Sequence, residues 1–204
     1  MKKVLLGCMA SAIALVGCSQ SNEVVKEDDV IKVGMVTDSG TIDDKSFNQG
    51  SWQGVLDFQA EHDNVEVQYI KPTGETLQDY TSAVDNLILS GNEVIVMPGF
   101  KFDETASVVA EEYPDTEFIL IDAEPTKDGE AVAYDNVVSI FFKENEAGFL
   151  AGVVSALETK TGKIGYMGGI EVPAVVAYGV GFQYGVEYAK ENLGANAEIV
   201  EYVY

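Results

Sequence analysis

From Val30 onward, short apolar runs of strand length alternate with longer amphipathic segments, and this alternation narrows the fold more than any other feature. Ile31 to Val36, Val65 to Ile70, Val94 to Met97, Phe118 to Ile121, Val137 to Phe142, Lys163 to Met167 and Glu198 to Val203 read as strands. Helical periodicity covers Phe47 to Glu61, with Trp52, Val55 and Leu56 on one face. It returns over Leu77 to Leu89, with Tyr80, Val84, Leu87 and Ile88 inward, and is stopped by Gly91. Further helices are expected over Phe102 to Glu112, Glu144 to Leu157 and Ala174 to Asn192. Ser46 followed by Gln49 fits a capping box at the first helix. Such a chain folds as α/β, with a mainly parallel sheet covered by helices on both faces.

The segment before Val30 has a different composition. Met1-Lys2-Lys3 forms a positive start, and Val4 to Val16 is uncharged and too short for the roughly twenty residues of a spanning helix. It ends Leu15-Val16-Gly17-Cys18, which resembles a bacterial lipobox and predicts a lipoprotein signal peptide over 1–18 with lipidation at Cys18. Residues 19–29 are polar and acidic and read as a tether. A diacyl anchor supplies the two chains that stable membrane attachment requires. The expected location is the outer face of a bacterial cell membrane.

Charge excludes one class of partner. The chain carries 34 acidic and 12 basic residues, a formal net charge of −22, so no nucleic-acid partner is expected. Cys8 and Cys18 are the only cysteines and His62 the only histidine, which leaves no thiolate metal site and no Ser–His pair. No phosphate-binding glycine loop is present.

In an open α/β sheet, ligands bind beyond the carboxyl ends of the strands. Those ends carry Asp38 after the first strand, Pro98-Gly99-Phe100 after the third and Asp122 after the fourth. The first loop adds Asp43, Asp44, Phe47 and Asn48, of which Asp43 and Asp44 also suit plain capping of a helix start. Carboxylates accept hydrogen bonds from N–H and O–H groups, and a Phe ring stacks on a planar base. The rim therefore suits nucleosides and sugars and repels phosphate. The run Tyr178-Gly179-Val180-Gly181-Phe182-Gln183-Tyr184-Gly185 places glycines on a helix, where close helix–sheet packing is the expected role.

Several segments resemble the basic membrane protein family, the purine nucleoside receptor-like lipoproteins that serve ABC importers. They are Val33-Gly34-Met35-Val36-Thr37-Asp38 with Asp43-Asp44-Lys45-Ser46-Phe47-Asn48-Gln49, and Glu146-Ala147-Gly148-Phe149-Leu150-Ala151-Gly152. Thr161-Gly162-Lys163-Ile164-Gly165 with Gly168-Gly169, and Gly181 to Gly185, continue the match. The resemblance implies a type I periplasmic-binding fold of two doubly wound parallel-sheet lobes. Lobe one would run over 30–142 and a partial lobe two over 143–204, the second lobe being incomplete in this chain. It implies that Phe47 stacks on the base, that Asn48 and Asp122 hydrogen-bond its edge, and that Asp38 contacts the ligand. Phe100 and Gly169 would line the cleft. In the family, the part beyond the position of Tyr204 supplies a second stacking aromatic and the ribose-binding acid and lysine.

The expected function is capture of a purine nucleoside for an ABC permease, without catalysis, cofactor or metal. Two other classes remain: a surface lipoprotein with a signalling role and no delivery to a permease, and an extracytoplasmic nucleoside hydrolase using the Asp cluster.

Overall fold

The computed structural model describes residues 30–204; the leader, Cys18 and the tether lie outside the described residues. Strands β1 (Ile31–Val36), β2 (Val65–Ile70), β3 (Val94–Pro98), β4 (Glu117–Ile121) and β7 (Val137–Ile140) form one parallel sheet in the order β2-β1-β3-β4-β7. Helices α1 (Phe47–Glu61), α2 (Leu77–Leu89) and α3 (Asp103–Glu112) connect its first four strands, a 3-10 turn at Phe100–Phe102 preceding α3. Two short antiparallel strands, β5 (Thr126–Lys127) and β6 (Glu130–Ala131), form a hairpin between β4 and β7. Its turn holds Asp128 and Gly129 at φ 55° and 82°, the left-handed backbone that closes a two-residue hairpin. The sequence reading missed this hairpin, because two-residue strands carry no usable periodicity.

Alternate residues of each strand enter different cores. Ile95, Met97, Phe118 and Leu120 pack with Tyr80, Val84, Leu87, Phe102 and Val109 from α2 and α3. Val33, Met35 and Val96 face α1 through Val55, with Trp52, Ile119 and Ile121 partly buried beside them. Each large side chain removed from water in this way contributes about 1.5–3 kcal/mol. The α1 side is more open. A groove of about 910 Å³ runs along it, lined among others by Phe47, Phe58, Val96, Ile121, Ile140 and Phe142.

A second unit follows: α4 (Glu144–Glu158), β8 (Lys163–Met167), α5 (Pro173–Asn192) and β9 (Glu198–Val203). β8 and β9 pair in parallel as a separate two-stranded sheet. α4 and α5 meet at backbone distance: a Cβ on Gly148 would stand 2.0 Å from the Tyr178 carbonyl oxygen, and one on Gly185 2.0 Å from that of Phe149. The glycines at 181 and 185 thus serve helix-on-helix packing, which corrects the expected helix–sheet role. Gly179 alone matches that expectation, lying under the rings of Tyr166 and Tyr202.

The expected capping box at α1 is also corrected. Ser46 makes no side-chain cap bond. Asp44 takes its place: its carboxylate accepts from the N–H groups of Ser46 (2.7 Å), Gln49 (3.2 Å) and Asn48 (3.4 Å). Lys45, at φ 55°, turns the chain so that this carboxylate reaches the helix end. A true capping box closes α2 instead, through Thr76 and Asp79.

Candidate functional site

The carboxyl ends of β1, β3 and β4 all point to one edge of the five-stranded sheet, because every strand in it is parallel. Asp38 follows β1 by two residues and is held tightly. Its N–H donates to Asn48 Oδ1 (3.1 Å), and its Oδ1 accepts from Gly40 N–H (2.8 Å) and Asn48 Nδ2 (2.7 Å). The second Asn48 amide hydrogen goes to Asp44 Oδ2 at 2.8 Å. Asn48 is only 2% exposed, so its side chain organises the two carboxylates from inside the loop. The loop tolerates this because residue 40 is glycine; a Cβ there would fall 2.4 Å from Asn48 Nδ2. Hydrogen bonding to Asn48 first, and the three backbone N–H groups of the helix start after it, hold the Asp44 carboxyl below its ordinary value, against desolvation, which raises it.

Phe47 opens α1 and is 37% exposed, with its ring on the apolar groove beside α1. Phe100, 43% exposed, follows Gly99, whose φ of 107° turns β3 into the 3-10 segment. Asp122 follows β4 at φ 61°, a left-handed conformation uncommon outside glycine, with its N–H donated to Ile140 O at 2.7 Å. Asp122 Oδ1 is enclosed and has no hydrogen-bond partner. Burial, then the neighbouring Glu144 carboxyl, pushes the Asp122 carboxyl up to about 6. Asp122 and Phe100 share a cleft of about 290 Å³ with Asp103, Phe141, Glu144 and Pro173 at the start of α5.

The structure therefore groups the sequence-derived residues in parts. Asp38 joins Asn48, and Phe100 joins Asp122, whereas Phe47 lines the separate groove and Gly169 stands in open space after β8. Two contributors escaped the sequence reading. Lys101 Nζ donates to Glu75 Oε2 (2.6 Å) and to Ser39 Oγ (3.2 Å), tying the loops after β1, β2 and β3 together. That ion pair raises the Lys101 pKa. Local pattern marks Glu144 only as a helix start, and its place in the Asp122 cleft depends on a chain crossing that no local pattern encodes. Among the described residues, no group of three or more His, Cys, Asp or Glu is placed to hold a metal ion.

Known proteins place this geometry. The chain is 33% identical over 193 residues to a CD4+ T-cell-stimulating antigen of Listeria innocua, covering 90% of this chain and 52% of that protein. It is 31% identical over 200 residues to basic membrane protein A of Borreliella burgdorferi, covering 98% and 56%. The ABC transporter nucleoside-binding protein BmpA of Lactococcus lactis is 30% identical over 203 residues, covering 95% and 56%. The chain thus spans about half the length of these relatives. Among solved structures, an ABC transporter solute-binding protein from Aeropyrum pernix superposes with a TM-score of 0.69 at 30% identity, over 85% of this chain and 47% of that one. A solute-binding protein from Conexibacter woesei shares the fold at a TM-score of 0.60 and 22% identity, over 85% and 54%. These neighbours establish the type I periplasmic-binding-like α/β fold. Residues 31–204 match the family model of PnrA-like ABC transporter substrate-binding proteins, and the chain belongs to that family, Bmp.

Proposed function

We propose that this protein captures a purine nucleoside outside the cytoplasm and delivers it to an ABC permease, without chemistry on the ligand. The observation that carries this reading is the rim: an enclosed carboxyl at Asp122 beside the Phe100 ring, and a second fixed carboxylate at Asp38. Such groups accept N–H and O–H donors and offer a flat apolar face to a base. The relative from Lactococcus lactis, itself called nucleoside-binding, supports the same reading. Phe47 is assigned to the base and Asp38 and Asp122 to polar edges; Asn48, expected at the edge of the base, is 2% exposed with its amide engaged by Asp38 and Asp44, so it is assigned instead to holding Asp38 in place, and Gly169 to the facing side of the cleft. Residues 30–142 would act as lobe one and 143–204 as the described part of lobe two.

Calorimetric titration with inosine, adenosine and their monophosphates tests this directly. The nucleosides should bind and the monophosphates should bind more weakly, because the rim and the net charge of −22 oppose added negative charge. Equal or tighter binding of a monophosphate would overturn the reading. The anchor is assigned to Cys18, joined to the lipid bilayer through residues 19–29. Mass spectrometry of the expressed protein should show an acylated Cys18 at the N-terminus; Met1 retained with a free Cys18 thiol would exclude it.

A further inference from the structure

Asp122 and Glu144 come from different parts of the chain, one directly after β4 and the other at the first position of α4, and line the same cleft. Their hydrogen-bond supplies are unequal. Glu144 Oε1 accepts the Phe142 N–H at 3.2 Å, whereas Asp122 Oδ1 is enclosed with no donor. No cation offsets the pair. The remaining titratable groups on the cleft wall are Asp103 from α3 and Glu124 after β4, and α5 contributes only Val172, Pro173, Ala174 and Ala177. Lys143, next to Glu144, is turned to Glu146 at 3.0 Å. Two carboxyl groups lining one partly buried cleft with no cation beside them are held most favourably with one proton on the pair. Since Glu144 already has a donor, that proton belongs on Asp122.

We propose that Glu144 is a positioning residue for a proton on Asp122, and that the ionised Asp122 carboxylate accepts an N–H from the ligand far better than the protonated acid does, so that capture is coupled to pH. This inference rests on the nucleoside reading above. The exchange balances simply: the Asp122 carboxylic acid gives its proton to bulk buffer, and the carboxylate formed accepts the hydrogen bond of the base. Affinity therefore rises with pH through the range in which Asp122 ionises, and capture below that range releases a proton. Asp122 titrates at about 6 in the ligand-free protein.

The test is inosine binding from pH 5 to 8 for the wild-type protein and for Glu144→Gln, with Glu144→Ala as a second variant. One pH unit below the midpoint leaves about a tenth of Asp122 ionised, so wild-type affinity should fall about tenfold between pH 7.5 and pH 5. In both variants that ratio should shrink to under about threefold, with tighter binding than wild type at pH 5. A flat wild-type profile, or a full pH slope retained in both variants, overturns the proposal. Carbon-13 carboxyl NMR of the ligand-free proteins separates this outcome from failure of the nucleoside reading. If inosine binds at no pH, that reading fails, while the NMR titration still decides the pair. The Asp122 resonance should titrate near 6 in wild type and at a lower pH in Glu144→Gln. An Asp122 resonance that titrates in the ordinary carboxylate range, or one indifferent to Glu144, overturns the pairing.

Discussion

Asn48 illustrates what one residue does in this rim. Its amide holds Asp38 and Asp44 at once, at 2.7 Å and 2.8 Å, and its oxygen takes the Asp38 N–H. Asn48→Ala leaves two carboxylates without their shared donor and should destabilise the protein by about 1–3 kcal/mol in a denaturant titration. Unchanged stability would show that the loop is held by other means. Phe47 acts differently, since it is partly exposed and contributes little to the core. Phe47→Ala should weaken inosine binding by roughly 1–3 kcal/mol through lost stacking and burial, with the melting temperature nearly unchanged. Asp122 is held at a cost to the fold. Its folded value of about 6 lies above its ordinary 3.8, so the folded state binds the extra proton between those values. The stability this proton supplies is present below pH 3.8 and is lost as pH rises through about 6. Asp122→Asn should therefore raise ligand-free stability at pH 7.5 by about 1 kcal/mol, solvent screening reducing the full value, while reducing inosine affinity. Asp44 has the opposite sign: its contribution is present above 3.8 and lost as pH falls toward its lower folded value. The sequence showed which residues stand at the strand ends, because strand periodicity fixes where strands stop. It did not show that Asn48 faces inward or that Glu144 meets Asp122, because both depend on contacts between distant segments.

At the scale of elements, the seven longer strands and five helices were legible because each buries a periodic apolar face. The differences are local. Asp44 rather than Ser46 caps α1 because the left-handed turn at Lys45 carries a stronger, charged acceptor to the helix end. Gly179 of α5 serves the expected helix–sheet packing, whereas Gly181 and Gly185, with Gly148 and Gly152 of α4, let two helices touch through their backbones. Spacing of small residues at three to four positions reports a close partner without saying which one. Gly148→Ala tests this contact. The added methyl would stand 2.0 Å from the Tyr178 carbonyl oxygen, with only backbone around it to give way. Forcing the helices apart should cost at least 1–3 kcal/mol, more than the helix propensity of alanine returns. Circular dichroism during urea unfolding should show an earlier transition for Gly148→Ala. A midpoint at or above that of the wild type would mean that α4 and α5 do not approach this closely in solution.

At the scale of the whole molecule, the two units differ in how completely they bury apolar surface. The first unit has fully covered residues on the α2–α3 side of its sheet, from Leu87 and Val84 of α2 to Met97, Phe118 and Leu120 of the strands. The two-stranded sheet has one helix-covered face, where Phe182, Val186 and Ala189 meet Ile164, Tyr166 and Ile199. On its other face Met167 is 83% and Val200 55% exposed. The main packing contacts lie within each unit, with α4 against α5 and β8 against β9 in the second. A two-stranded sheet has marginal stability without further cover, and regions with fewer buried contacts open at lower free energy. Amide hydrogen exchange should therefore divide the chain near residue 143. Central amides of β1, β3 and β4 should exchange only at the rate of global unfolding, and those of β8 and β9 at least about tenfold faster, which corresponds to about 1.4 kcal/mol less local stability. The Tyr166–Tyr202 stack, with ring centres 4.8 Å apart, places optical reporters in the second unit, and Trp52 reports the first. Because six of the ten tyrosines follow residue 143, tyrosine fluorescence should lose part of its folded signal at lower urea than tryptophan does. Coincident transitions, with equal protection of β3 and β8, would instead mean that the contacts along the Asp122–Pro173 cleft couple both units into one cooperative body.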